Sequence, residues 1–170
     1  MATQKILVLP DTPVSFKNSG GTVLWTPADT AVGHGRISSV WDRGAGAKPW
    51  LYSWECRVKW VATPADADEF RLYLVRSSVA ATAAQTDGGL TFGDADLASE
   101  TELDRHCKYI DTILASAADV AQCTHGLIEI AERYVAIAGW NASATKAMGT
   151  TDADFEFIFT PLIDEIQAAT

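Results

Sequence analysis

Between Leu51 and Val61 the chain reads Leu-Tyr-Ser-Trp-Glu-Cys-Arg-Val-Lys-Trp-Val, with Tyr52, Trp54, Cys56, Val58 and Trp60 apolar or aromatic and Ser53, Glu55, Arg57 and Lys59 polar between them. A period of two is a β-strand signature, because only an extended backbone sends alternate side chains to opposite faces. The pattern returns at Asp154 to Leu162, where Phe155, Phe157 and Phe159 share one face and Glu156, Ile158 and Thr160 the other. The chain is therefore expected to be mainly β, and its function to lie in what stacked sheets present at their faces, edges and loops.

The remaining segments extend this expectation. Lys5 to Leu9 reads as a first strand closed by Pro10 and by the Asp11 to Pro13 turn. Thr22 to Trp25 follows the Asn18 to Gly21 turn, and Gly35 to Trp41 is extended before the glycine-rich loop Asp42 to Pro49. Phe70, Leu72 and Leu74 alternate with Arg71 and Tyr73, which suggests a hairpin with the preceding strand. From Ser77 to Leu103 the pattern dissolves into Ala, Thr, Ser, Gly and Asp, a long excursion with at most a helical turn near Ala98 to Asp104. Lys108 to Leu114, Gly126 to Ile130 and Arg133 to Trp140 read as further strands, and the last is apolar on both faces and thus central.

Roughly eight to ten short strands without a long amphipathic helix give an all-β fold, a two-sheet β-sandwich with long loops. Jelly-roll topology is favoured, with an immunoglobulin-like sandwich or a closed barrel as the alternatives. Residues 1–13 form an arm carrying the first strand, and residues 14–170 a single sandwich domain.

A formal charge of −9 with 13 scattered basic residues argues against nucleic acid as a partner, since phosphate neutralisation calls for clustered Lys and Arg. No leader-like segment or long apolar run is seen, so neither export nor a membrane is expected. Cys56, Cys107 and Cys123 are expected as free thiols, with Cys56 a small core hydrophobe and Cys107 and Cys123 facing the core beside strand ends.

Catalytic vocabulary is thin. His34, His106 and His125 lack identifiable partners in sequence, and the spacing of His106-Cys107 with Cys123 and His125 does not match common zinc pairs. Asp94 with Asp96, and Asp152 with Asp154, offer oxygen ligands but lack the glycine and distal glutamate of a calcium loop. No phosphate-binding glycine loop is present; catalytic residues, metal and cofactors are all expected to be none. Among six tryptophans, Trp54 and Trp60 sit on a patterned face and read as core. Trp41, Trp50 and Trp140 read as loop-edge indoles, suited to a protein interface or to stacking on a sugar ring.

The phrases Gly35-Arg-Ile-Ser-Ser-Val-Trp-Asp-Arg-Gly-Ala-Gly-Ala-Lys-Pro49, Leu51-Tyr-Ser-Trp54, Arg133-Tyr-Val-Ala-Ile-Ala-Gly-Trp-Asn-Ala-Ser143 and Phe159-Thr-Pro-Leu-Ile-Asp-Glu-Ile-Gln167 resemble the jelly-roll cement, or decoration, proteins of tailed bacteriophages. The resemblance implies a homotrimer on the outer capsid surface of the virion, made in the bacterial host cytoplasm, that clamps neighbouring major capsid protein subunits. The arm Met1 to Pro13 and the excursion Ser77 to Leu103 then become the reaching elements, with Trp41, Arg43, Trp50 and Trp140 as contact anchors. The alternative from another class is a carbohydrate- or receptor-binding module of a phage fibre or tail.

Overall fold

The computed structural model describes residues 5–66, 68–79, 90, 93–116 and 119–167. Its strands are β1 (Lys5–Pro10), β2 (Val14–Phe16), β3 (His34–Ile37), β4 (Trp41–Asp42), β5 (Leu51–Val58), β6 (Glu69–Ser77), β7 (Ala95–Leu97), β8 (Lys108–Leu114), β9 (Gln122–Glu129), β10 (Tyr134–Asn141) and β11 (Glu156–Gln167). One short helix, α1 (Thr101–His106), and a 3-10 turn at Asp152–Asp154 complete the set.

Two sheets form. The first runs β1-β11-β5-β9 with β2 also on β11; the second runs β7-β3-β10-β6-β8 with β4 also on β10. The antiparallel partners are nested: β1 with β11, β3 with β10, β5 with β9, β6 with β8. First pairs with last and each later strand with an earlier counterpart, as when a long hairpin is rolled up, and this nesting is the jelly roll.

The patterned strands fold as their alternation requires. In β5, Tyr52, Trp54, Cys56 and Val58 are buried while Ser53, Glu55 and Arg57 are not. In β11, Phe157 and Phe159 are fully buried, with Phe155 just before them. Phe157 stacks on Trp54 at 5.8 Å and meets Phe159 edge-on at 4.7 Å, while Phe16 of β2 approaches both rings edge-on. Each such pair adds about 0.5–1.5 kcal/mol beyond its buried area. Across the core, β6 contributes Phe70, Leu72 and Leu74 and β10 contributes Val135 and Ile137.

The other face of β10 and β6 is buried as well. Ala136, Ala138, Trp140, Tyr73 and Val75 pack with Ile37 under Leu90 and Leu103. The central position expected for this strand follows from its two apolar faces, and β10 indeed lies between β3 and β6.

Three local expectations are corrected. β5 and β6 do not form a hairpin: β5 pairs in the first sheet and β6 in the second. Thr22 to Trp25 makes one isolated bridge, Val23 to Phe16, in place of the expected strand. Gly35 to Trp41 splits into β3 and β4 where Ser38 intrudes, its Oγ accepting the Ile137 N–H at 3.1 Å while its own N–H donates to the Ile137 carbonyl at 2.9 Å.

Gly139 shows how tight the core is. A Cβ there would lie 2.2 Å from Phe70 Cζ and 3.1 Å from Trp25 Cζ2. Gly139→Ala is expected to lower stability by about 1–3 kcal/mol through overpacking, read as a fall in the urea midpoint at unchanged slope; an unchanged midpoint contradicts this packing.

Candidate functional site

The four expected contact residues divide sharply. Arg43 is buried: its Nε donates to the Tyr52 hydroxyl at 3.0 Å, one Nη to the Glu132 carbonyl at 2.6 Å and the other to the Pro49 carbonyl, with the guanidinium 5.1 Å from the Tyr52 ring centre. Trp140 lies in the middle of the covered layer outside β10 and is also buried. Both expectations of loop-edge exposure are corrected, since Arg43 spends its fork tying two loops together and Trp140 belongs to a central strand. Trp41 is half-buried, stacked on Phe159 at 6.0 Å and edge-on to Tyr52. Trp50 alone of the six indoles is well exposed, at 57%, and its carbonyl accepts the Ile130 N–H at 2.7 Å.

Beside Arg43 a second clamp closes this end. Arg133 grips Asp42 through Nε and Nη2 at 2.7 and 2.8 Å and lies over the Tyr134 ring. The Arg133 hydrogen bonds, with the Gly44 N–H, hold the Asp42 carboxyl down at about 2. A depressed carboxylate contributes stability above its unfolded value and loses it as pH falls through the folded one. Carboxyl NMR is therefore expected to place the Asp42 midpoint near 2, and a midpoint at 3.8 would remove the clamp.

The candidate ligand groups are engaged elsewhere. Asp94, at φ 52°, accepts from Thr26 N at 2.8 Å, Thr26 Oγ1 at 2.6 Å, and Arg36 Nε and Nη2 at 3.2 and 3.0 Å. Burial pushes its pKa up, but the hydrogen bonds from Arg36 and Thr26 outweigh this and leave it lowered. Asp96 takes the other arm of Arg36, and Asp154 accepts the Thr151 hydroxyl at 2.7 Å. His106 closes α1 beside Glu102 at 3.4 Å, whereas His125 sits on β9, opposite Glu55. Among the described residues no three His, Cys, Asp or Glu side chains converge as a metal set.

Cys56 is buried and Cys107 partly so, but Cys123 is exposed, contrary to the expectation that it faces the core. It falls on the outward-pointing parity of β9 with His125 and Leu127. Burial pushes the Cys107 thiol up to about 12. A thiol reagent at neutral pH is expected to label Cys123 at once and the other two only on unfolding; prompt labelling of two or three sites contradicts these burials.

The described part of the Ser77 to Leu103 excursion lies on the second sheet, through β7, Leu90 and α1. Tyr73 and Arg71 anchor it: the Tyr73 hydroxyl sits 2.7 Å from Glu100 and 3.0 Å from Asp104, and Arg71 bonds Glu100 and Glu69. Residues 80–89, 91 and 92 of that excursion, and residues 1–4 of the arm, lie outside the described residues.

The outer face of the first sheet is different. Strand register aligns Thr160, Ser53 and Leu127 in one row and Ile158, Glu55 and His125 in the next. These six line a shallow depression of about 400 Å³, and Leu127 is 65% exposed. Sequence reasoning missed this face because alternation marks its residues merely as outward.

No protein-family model matches the chain. No curated protein matches it. Among solved structures it is similar to a crystal structure of murine APRIL at pH 8.5, at 8% identity and a TM-score of 0.36, over 94% of this chain and 99% of that one.

Proposed function

We propose that this jelly roll is a structural docking protein, a decoration protein that binds the outer surface of a phage head and braces neighbouring major capsid subunits. The observation that carries the docking reading is the one-sidedness of the sandwich. The described residues cover the outer face of the second sheet with Leu90, Leu103 and α1, yet leave Leu127 exposed beside half-buried Ile158 and a depression on the first. A sheet face holding an exposed leucine beside Ser53, Thr160, Glu55 and His125 suits a protein partner with a matching apolar centre and polar rim. The bacteriophage part of the reading rests on the sequence resemblance.

The mechanism is linkage. A module that binds only the assembled shell adds its binding free energy to that state at every occupied site, so many modest contacts sum to a sturdier particle. Trp50, just before β5, adds an exposed aromatic at the end of the same sheet. The net charge of −9 suits an outward-facing position away from packaged genome.

The sugar-binding alternative needs clustered exposed indoles, and Trp25, Trp54, Trp60 and Trp140 are buried. It therefore has only Trp50 to offer as an open platform.

Heads purified without tails are expected to carry the protein, and to melt at a higher temperature with it than without it. Leu127→Asp, a change at an exposed position, is expected to weaken head binding at least tenfold while the free protein melts as wild type. Equal melting of bare and decorated heads would remove the bracing role, and full binding by the variant would move the docking face elsewhere.

A further inference from the structure

An open strand edge is a template for pairing with another chain, and the strands that end the two sheets are not equally protected. β7 is 3 residues long and carries Asp96. β8 carries Lys108 and Asp111, and its ladder with β6 is interrupted by a register shift at Leu72/Tyr73. β1, which forms a two-stranded ribbon with Leu162–Gln167, is bounded by Lys5 and Pro10. β9 has no such guard along its length. It pairs with β5 from Gln122 to Glu129 in unbroken register, and from Gln122 to Ile128 it contains no Asp, Glu, Lys, Arg or Pro. Among the described residues β5 is the strand it is paired to, and its other edge ends the sheet.

The direction of its free main-chain groups follows from one bond. The Ile130 N–H donates to the Trp50 carbonyl at 2.7 Å, in the same register that sets Ile128 against Tyr52 and Gly126 against Trp54. Even-numbered residues therefore spend their N–H and C=O on β5, and the odd-numbered His125, Leu127 and Glu129 aim theirs at the open edge. The side chains of these three are exposed on the outer face, Leu127 at 65%. The start of β9 is engaged with β8 and the loop after it, since the Thr124 hydroxyl donates to Asp111 at 2.6 Å and the Gln122 amide to Ser116 at 2.8 Å. The segment left open is His125 to Glu129.

We infer that His125 to Glu129 pairs antiparallel with the same segment of a second copy of this chain, about a two-fold axis at Leu127, joining the first sheets of the two copies into one. In this register Leu127 faces Leu127, His125 faces Glu129 of the other copy at each end, and Gly126 faces Ile128. Facing residues are both odd or both even, so outward side chains meet outward ones and inward meet inward, as an antiparallel ladder requires. The odd pairs are the hydrogen-bonded ones, each residue giving its N–H and accepting at its C=O. Opposed side chains then lie about 5 Å apart, so the two leucines cover each other and each imidazole comes beside a carboxylate that can accept its N–H. Centring the ladder on His125 or on Glu129 would instead set imidazole on imidazole or carboxylate on carboxylate. A closed two-fold contact uses one patch twice and leaves this segment no edge for a further copy. The pairing rests on the fold and not on the capsid reading, so either can fail without the other; it yields a dimer where the resemblance implies a trimer.

Light scattering on the isolated full chain, with no phage head present, is the test. The expected mass is twice the 18.3 kDa of one chain. Glu129→Pro removes an edge-facing N–H and the carboxylate at each end of the ladder and spares every bond to β5; it is expected to halve the mass while the far-UV spectrum keeps its β character. His125→Glu brings carboxylates together at both ends and is expected to halve the mass as well, and adding Glu129→Lys to it to restore the double mass. A wild-type mass of one chain or of three overturns the pairing. So does either folded single variant that remains at double mass, or a folded double variant that remains at single mass.

Discussion

The stacking of β11 phenylalanines on facing aromatics is the interaction on which the rest of the structure depends. Phe157 and Phe159 are fully buried, flanked by Trp54 on β5, Phe16 on β2 and Trp41 on β4. Since Trp41 belongs to the second sheet and the others to the first, this cluster joins the two layers. It also fixes where β11 stops being core. After Pro161 the strand leaves β5 behind and pairs only with β1.

From that seam the distribution of surfaces follows. Helix α1 and the described residues around it are held against the second sheet by Leu103 and by the Tyr73, Arg71 and Glu100 contacts, so that face is closed from within. Among the described residues the first sheet receives no such cover, and its outer rows present Ser53, Thr160, His125 and an exposed Leu127. Basic residues are largely spent inside the molecule: Arg36 on Asp94 and Asp96, Arg43 on backbone carbonyls, Arg133 on Asp42. The acidic surplus is what remains for partners to meet.

The alternation of β5 and β11 was readable because each strand has one face on the core, and period two reports that directly. Pairing partners were not, because β6 alternates just as well in the opposite sheet as in a hairpin with β5. The jelly roll itself was favoured from strand number and is established by nested register. Arg43 and Trp140 were misplaced for a common reason: a residue near a loop in sequence can still be the one that the loop closes over. Leu103 sits in a stretch of small and polar residues, where a single leucine carries too little periodicity to announce a covering helix. Cys123 and Leu127 lie one parity apart from buried Ile128, and this outward parity becomes legible only when β9 starts at Gln122 and not at Gly126.

Native-state hydrogen exchange tests the central claim that the phenylalanine seam organises the fold. The account predicts that the amides of Phe157 and Phe159, with those of Tyr52 to Cys56 opposite them, exchange only through global unfolding, while β1 and Leu162–Gln167 open at lower free energy. Exchange of the seam amides by local opening, as fast as those of the ribbon, would contradict it.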